Sequence, residues 1–306
     1  MQHYTAGSPQ EPEVKWTNLS PSEIRGKLLE KDCQVSYYDA CQLLACHKFR
    51  KRKLLKCETL QETEGRNEQF EHIAFLKDAF LSNGLPVLSL DTKKKELIGN
   101  FYRNGACYAK EARKVNDHDF PSFAKGKVVP HGIYDLGQNK GYLTLGTSHD
   151  TSAFVCDNLE YFWADELQWV YPRADWMLLL CDGGGSNNSR HHIFKQDLWN
   201  LAQRLQINIM VAHYPPYCSK WNPIEHRFFC HVHQAWSGTV FENIQIVKEL
   251  ALKASTTTGL TIEVRINERQ YEIQRKAEDE FKNNINRYIR FSDKLPQWNY
   301  SCICQP

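Results

Sequence analysis

The 306-residue chain reads as an α/β protein, a mixed sheet with helices on its faces preceded by a small all-α segment. Three observations predict this. From residue 85 onward, apolar runs of strand length alternate with longer stretches whose apolar residues recur at helical spacing. The first three runs follow one another without an intervening helix and the later ones are separated by helices, which is a meander continued by helix-linked strands. Before residue 60 the strand pattern is absent and two capping sequences mark helix starts.

Residues 1–16 carry Gly, Pro, Ser and Gln without periodicity and read as a flexible leader. Ser20-Pro21-Ser22-Glu23 is a capping box with proline at the first helical position, and Ile24, Leu28 and Leu29 supply an apolar face. Ser36 opens a second helix carrying Cys41, Leu43, Leu44 and Phe49. Two short helices over residues 17–60 fit a helix-turn-helix. The second runs into Lys48, Arg50, Lys51, Arg52, Lys53 and Lys56, a basic run placed to meet phosphates if that helix enters a DNA groove. Residues 61–84, with Phe70, Ile73, Leu76 and Phe80 at helical spacing, read as a connecting helix and linker, with 62–67 its most exposed part.

The core is expected over residues 85–240. Pro86 to Asp91 is a short strand, and the pair Val128–Leu136 and Gly141–Thr147 flanks the turn Gly137-Gln138-Asn139-Lys140. A helix follows through Phe154, Leu159, Phe162, Trp163 and Leu167. Trp176 to Asp182 is a strand buried on both faces and ends in a glycine triplet. Phe194, Leu198, Leu201 and Leu205 give an amphipathic helix, and Ile207–Ala212 the fifth strand. Strand, strand, strand, helix, strand, helix, strand is the order expected of an RNase H-like five-stranded core. Asn222 and Pro223 then open a helix as cap and first helical residue, with Glu225, Phe228, Phe229 and Val232 on one face. The rest, 241–306, is expected to pack on the core as an extension: a helix through Leu252, a strand pair around Asn267-Glu268, and a charged helix from Arg275 to Arg290.

The composition, 42% hydrophobic and 24% charged, excludes a disordered or membrane class, and no apolar run approaches the roughly 18 residues of a membrane span. No export signal follows Met1, so the eleven cysteines read as reduced thiols, and a net charge of +2 says little by itself. The chemistry points to three acids. Asp91 and Asp182 each stand where an apolar strand leaves the core, and Glu225 lies in the first turn of a helix that should pack on the same sheet. Three carboxylates brought together repel one another unless cations neutralise them. Hard oxygen donors suit Mg²⁺ or Mn²⁺, and two such ions roughly 4 Å apart can activate a water or 3′-hydroxyl against a phosphodiester.

Longer motifs surround these acids: L-S-L-D-T-K-K-K-E-L-I-G-N-F at 88–101, V-N-D-H-D-F-P at 115–121, P-H-G-I-Y-D-L at 130–136, L-L-L-C-D-G-G-G-S-N at 178–187, A-H-Y-P-P-Y-C-S-K-W-N-P-I-E-H-R at 212–227 and L-P-Q-W-N-Y at 295–300. From about Trp16 to the end the chain resembles the Rhodopirellula-type (ISAzo13-like) DDE transposases, related to the IS630–Tc1–mariner group. The resemblance implies a metal-binding catalytic triad of Asp91, Asp182 and Glu225 holding two Mg²⁺ or Mn²⁺ ions. It also implies cleavage at the ends of a mobile element with transfer of the 3′-OH to target DNA, and double-stranded DNA with terminal inverted repeats as partner. A homodimer that pairs two ends follows from it too, as does a bacterial cytoplasmic location at the nucleoid. One departure is that members usually carry further N-terminal sequence, including another helix-turn-helix, ahead of the region that begins here near Trp16, so a shortened or re-started copy is expected.

Candidate DNA contacts are Lys48, Arg50, Lys51, Arg52 and Lys53, with Lys93 in a lysine run, and Asn187 and Arg190 after the glycines. Asn187, Asn188 and Arg190 either touch phosphate or cap the next helix. Gly183 to Gly185 are expected to let the backbone turn tightly beside the acids, and His191, His192 and His213 read as polar packing. Two other classes compete. A truncated or domesticated transposase remnant would bind DNA without cutting. A zinc module would use Cys218, Cys230, His231 and His233, but the paired spacing of zinc ligands is missing.

Overall fold

The computed structural model describes residues 6–7, 15–52, 63–184 and 187–305. The chain divides into two compact units, residues 1–60 and 61–306. In the first, the short strands β1 (Ala6–Gly7) and β2 (Lys15–Trp16) pair antiparallel. Helix α1 (Pro21–Leu29) starts with the expected capping box, Ser20 accepting from the Glu23 N–H while the Glu23 carboxylate accepts from the Ser20 N–H. Ser36 and Asp39 repeat this at α2 (Tyr37–Cys46). Helix α2 stops before Phe49, with Lys48 in the left-handed region at φ 61°, so Phe49 and the basic run lie beyond the helix and not on it. Lys48, Arg50, Lys51 and Arg52 are exposed, and Lys53 and Lys56 fall outside the described residues.

In the second unit α3 (Arg66–Ser82) does not merely connect. Its Ile73, Leu76 and Phe80 are buried against Val87, Leu178, Leu180 and Ala212 of the sheet. The strands β3 (Val87–Thr92), β4 (Glu96–Ile98), β5 (Gly126–Asp135) and β6 (Lys140–Gly146) follow. Helix α4 (Ser152–Phe162) continues through a π-helical turn, Trp163–Leu167, into α5 (Gln168–Val170). Next come β7 (Trp176–Cys181), α6 (His192–Leu205) and β8 (Asn208–His213).

These elements form the expected core. The order is β8-β7-β3-β5-β6, with β5 antiparallel to both β3 and β6, and β7 and β8 parallel to β3. That is the RNase H-like arrangement. The sheet is larger than five strands: among the described residues it has nine, because the C-terminal region adds three strands at its two edges and β4 pairs with one end of β5. After the helix that carries Glu225, whose π-helical turn Glu225–Phe229 runs into α7 (Cys230–Trp236), come α8 (Ile244–Leu252) and β9 (Thr261–Asn267). Strand β9 does not form a hairpin at Asn267-Glu268 but runs parallel to β6. The charged helix expected from Arg275 to Arg290 is two short pieces, α9 (Asp279–Asn283) and α10 (Ile285–Tyr288), because Asn284 leaves helical geometry at φ −119°. Then β10 (Ile289–Phe291) pairs with β11 (Asn299–Cys302), which extends the sheet beside β8.

Alternation along the strands sorts the layers. Leu88, Leu90 and Leu179 meet α4 and α6 on one face. Val87, Leu178 and Leu180 meet α3 on the other, where Phe228, Phe229 and Val232 pack on Tyr134, Leu143 and Leu145. Each such buried side chain contributes roughly 1.5–3 kcal/mol, so the helix carrying Glu225 is seated by its own apolar face.

Candidate active site

Asp91 and Asp182 are neighbours by register. Leu90 pairs with Cys181 across the parallel β3–β7 ladder, and each aspartate is the next residue along. Strands in a ladder lie about 4.8 Å apart, so the two carboxylates leave the sheet side by side. Glu225 is brought to them by a clamp that the sequence did not reveal. Asn222 is fully buried at the cap position, its carbonyl accepting from the Glu225 N–H, but its side chain does not cap the helix. Its Oδ1 accepts from the Ser89 hydroxyl at 2.5 Å, and its Nδ2 donates to the Leu90 carbonyl at 3.1 Å. The Ser89 oxygen in turn accepts from the Ile224 N–H at 3.1 Å, so a strand residue two before Asp91 caps the helix three residues into the NPIE motif. Pro223 occupies the first helical turn as expected.

Two glycines complete the seat. Gly132 faces Asp91 across β3 and β5, and a Cβ there would stand 2.5 Å from Phe229 and 2.9 Å from Ile224. At Gly141 a Cβ would collide with Phe228. Their lack of side chains lets the helix lie flat on the sheet. The π-helical winding begins at Glu225 itself, and such turns are frequent at functional sites. By contrast, Gly183 and Gly184 have no positive φ, so these two do not serve a left-handed turn. At Gly184 the tight feature is the Asp182 carboxylate, 3.3 Å from where a Cβ would be; Gly185 lies outside the described residues.

The electrostatics follow from this crowding. Asp91 is 9% exposed. Burial, then the charges of Asp182 and Glu225, push its carboxyl up to about 9 against the single Thr92 N–H that favours the ionised form. Asp182 is also raised, first by burial and then by Glu225 and Asp150, while the Gly184 N–H opposes the shift. The three acids named from sequence therefore converge. Among the described residues no three His, Cys, Asp or Glu side chains stand in closed metal-ligand geometry. The donor set nevertheless fits a hard divalent cation, because carboxylates that hold one another's protons on are the groups that added positive charge would relieve.

Asp150 is a fourth acid that sequence reading missed. It precedes the Thr151 cap of α4 and accepts from the Thr92 hydroxyl at 3.2 Å. Only its place in an ordinary helix-start sequence was visible. His213 is fully buried, and burial lowers its pKa to about 4, so it is neutral. Its Nδ1 lies 3.2 Å from the Asp182 carbonyl and its Nε2 3.3 Å from the Tyr300 hydroxyl. A carbonyl only accepts, so Nδ1 carries the proton, and His213 holds the Asp182 backbone to the neighbouring strands.

The remaining candidates are dispersed. Lys93 lies two residues past Asp91, its Nζ 3.2 Å from Glu96 and 5.3 Å from the Trp236 ring centroid. Asn187 is buried and Arg190 exposed. Neither caps α6: Asn188 accepts from the Arg190 N–H in a turn before it, and His191 at the cap makes no side-chain bond. The basic residues Lys48, Arg50, Lys51 and Arg52 belong to the first unit. Cys218 is buried and Cys230 is exposed with its thiol bonded to the His226 carbonyl.

With this geometry in place, a family model described as the Rhodopirellula transposase DDE domain matches residues 1–304. The chain belongs to that family. No curated protein matches the sequence. Solved structures similar to this member of the DDE transposase family include a Mos1 transposase paired-end complex with the left transposon end and a pre-cleavage Mos1 transpososome. Each is 16% identical with a TM-score of 0.44, covering 80% of this chain and 71% of the other. The Mos1 Strand Transfer Complex is 16% identical with a TM-score of 0.43, over 80% and 70% of the two chains. No described helix is long and apolar enough to cross a membrane.

Proposed function

We propose that this transposase cuts phosphodiester bonds at the ends of a mobile element and joins the freed 3′-OH to target DNA, with Asp91, Asp182 and Glu225 as its metal-holding acids. The observation that carries the reading is the convergence of these three carboxylates at the ends of two paired strands and one clamped helix, with Asp91 pushed up to about 9 by its neighbours and its burial. Asp91 and Asp182 would share two Mg²⁺ or Mn²⁺ ions and Glu225 would complete the second site. Bound ions of this kind activate the attacking oxygen and stabilise the leaving one. The protein's own part is positional: Ser89 and Asn222 hold Glu225's helix to β3, and His213 holds the Asp182 backbone. Residues 17–60 would bind double-stranded DNA through phosphate contacts from Lys48, Arg50, Lys51, Arg52 and Lys53, and Lys93, Asn187 and Arg190 would add contacts from the unit that carries the acids. Pairing of two element ends would require a homodimer, acting on the bacterial nucleoid.

Labelled element-end DNA incubated with purified protein and Mg²⁺ or Mn²⁺ tests the reading. The expected outcome is cleavage by the wild type and loss of most turnover in Asp182→Asn. Cleavage undiminished in that variant would remove the triad assignment, and DNA binding without any cleavage by the wild type would favour a remnant that binds only.

A further inference from the structure

We propose that the groove beside the acid site holds a single DNA strand, its phosphates on Lys94, Lys95 and Lys127 and one base on Tyr102. The proposal rests on the reading of the three acids as a DNA-cutting centre. The groove has a volume of about 670 Å³ and lies between the Lys93–Lys127 excursion and the far end of the helix that bears Glu225, at His233, Trp236 and Ser237. Two of the segments that line it continue directly from Asp91 and from Glu225. Lys93 is two strand residues, about 7 Å, from Asp91, and Trp236 is three helical turns, roughly 15 Å, from Glu225.

Its charge is uneven. Five cations line it, Lys93, Lys94, Lys95, Arg103 and Lys127, against two carboxylates, Glu96 and Asp119. Glu96 is shared, 3.2 Å from Lys93 and 3.3 Å from Arg103. Lys94, Lys95 and Lys127 are exposed and make no ion pair among the described residues. Arg103 is fixed as a permanent charge in the wall. Its guanidinium lies 3.4 Å over the Phe241 ring centroid, Nη2 donates to the Leu97 carbonyl at 2.6 Å, and Nη1 is buried without a partner. A buried donor left unpaired is costly, and an acceptor that reaches it, such as a phosphate oxygen, would relieve that cost. Tyr102, next to Arg103, is 60% exposed at the rim. A basic groove with an exposed aromatic is the chemistry that binds unpaired strands, because any base can stack on the ring.

The test is fluorescence anisotropy of a 5′-fluorescein single-stranded DNA of about 12 nucleotides, with the full chain in EDTA so that nothing is cut. Lys94→Gln/Lys95→Gln should lower the slope of log K against log salt by about 1.4, the value for two single-strand phosphates. Tyr102→Ala should weaken binding about tenfold at fixed salt. The exposed pair Lys253→Gln/Lys276→Gln, away from the groove, controls for net charge and should leave the slope nearly unchanged. Equal effects of the two lysine pairs, or no effect of either groove variant, would overturn the proposal. Because the acids play no part in EDTA, groove variants that lose affinity support the groove even where the wild type cuts nothing. Retained affinity overturns it while leaving metal-dependent cleavage standing.

Discussion

Asp91, Ser89 and His131 show what individual side chains contribute around the acids. Asp91 is nearly buried beside two other carboxylates, and Ser89, two residues earlier on the same face, holds the Asn222 side chain. His131 pairs in register with Thr92 and points, like it, to the layer opposite Asp91, where Asn158 lies 3.3 Å from its Nδ1 and its Nε2 has no partner. Burial pushes His131 down to about 3, so it is neutral in the fold, whereas the unfolded chain binds a proton near pH 6.5. The folded pKa is the lower one. Stability is therefore complete above about pH 6.5 and is lost as pH falls below it, at about 1.4 kcal/mol per pH unit for each such histidine. His213 adds a second slope down to about pH 4. Urea unfolding between pH 6 and 4.5 should show a slope smaller by one histidine's share in His131→Gln; an unchanged slope would mean that His131 is protonated in the fold. Asp91, Asp182 and Glu225 were legible because apolar runs and a proline-led helix start point at them. The Ser89–Asn222 bond and Asp150 were not, since both depend on which strand lies beside which helix.

At the scale of elements, the helix of Glu225 is the part on which the site depends most. Its apolar stripe was legible at Phe228, Phe229 and Val232, and that stripe is buried as the spacing required. What holds it at the right height is Gly132 and Gly141 on the strands beneath, and a glycine within a strand does not announce which ring lies over it. Gly132→Ala should push Phe229 and Ile224 outward, costing about 1–3 kcal/mol of stability by overpacking. A displacement of about 1 Å at Glu225 should lower cleavage about 100-fold. Thermal unfolding and initial cleavage rates, measured together, check this: a variant that loses stability but keeps full rate would show that the seat does not position Glu225. The charged stretch 275–290 departs from the expected single helix for an opposite reason. Its charge pattern suits an exposed helix, but Asn284 breaks it and Ile289–Phe291 is drawn into a strand by β11.

At the scale of the molecule, the order of the five core strands could be read from the alternation of runs and helices. The enlargement of the sheet could not, because β9, β10 and β11 are short and their partners are far away in sequence. The division at residue 60 separates an α-helical unit with exposed basic residues from the sheet-based unit with the acids. If the first unit grips duplex DNA, Lys51→Gln/Arg52→Gln should reduce the slope of log K against log salt for an element-end duplex by about 1.8, read by anisotropy titrations at several salt concentrations. An unchanged slope would place the duplex contacts elsewhere.

Cation binding by Asp91, Asp182 and Glu225, relieving their mutual repulsion, is what the proposed function requires. It is tested most directly by the melting temperature of the wild type and Asp91→Asn, each with EDTA and with Mn²⁺. Removing one of three crowded carboxylates should raise the metal-free melting temperature by about 2–4 °C for each kcal/mol of repulsion relieved. The wild type should gain from Mn²⁺ by mass action, and the variant should lose most of that gain. An Asp91→Asn protein that is less stable in EDTA and gains as much from Mn²⁺ as the wild type would contradict the account.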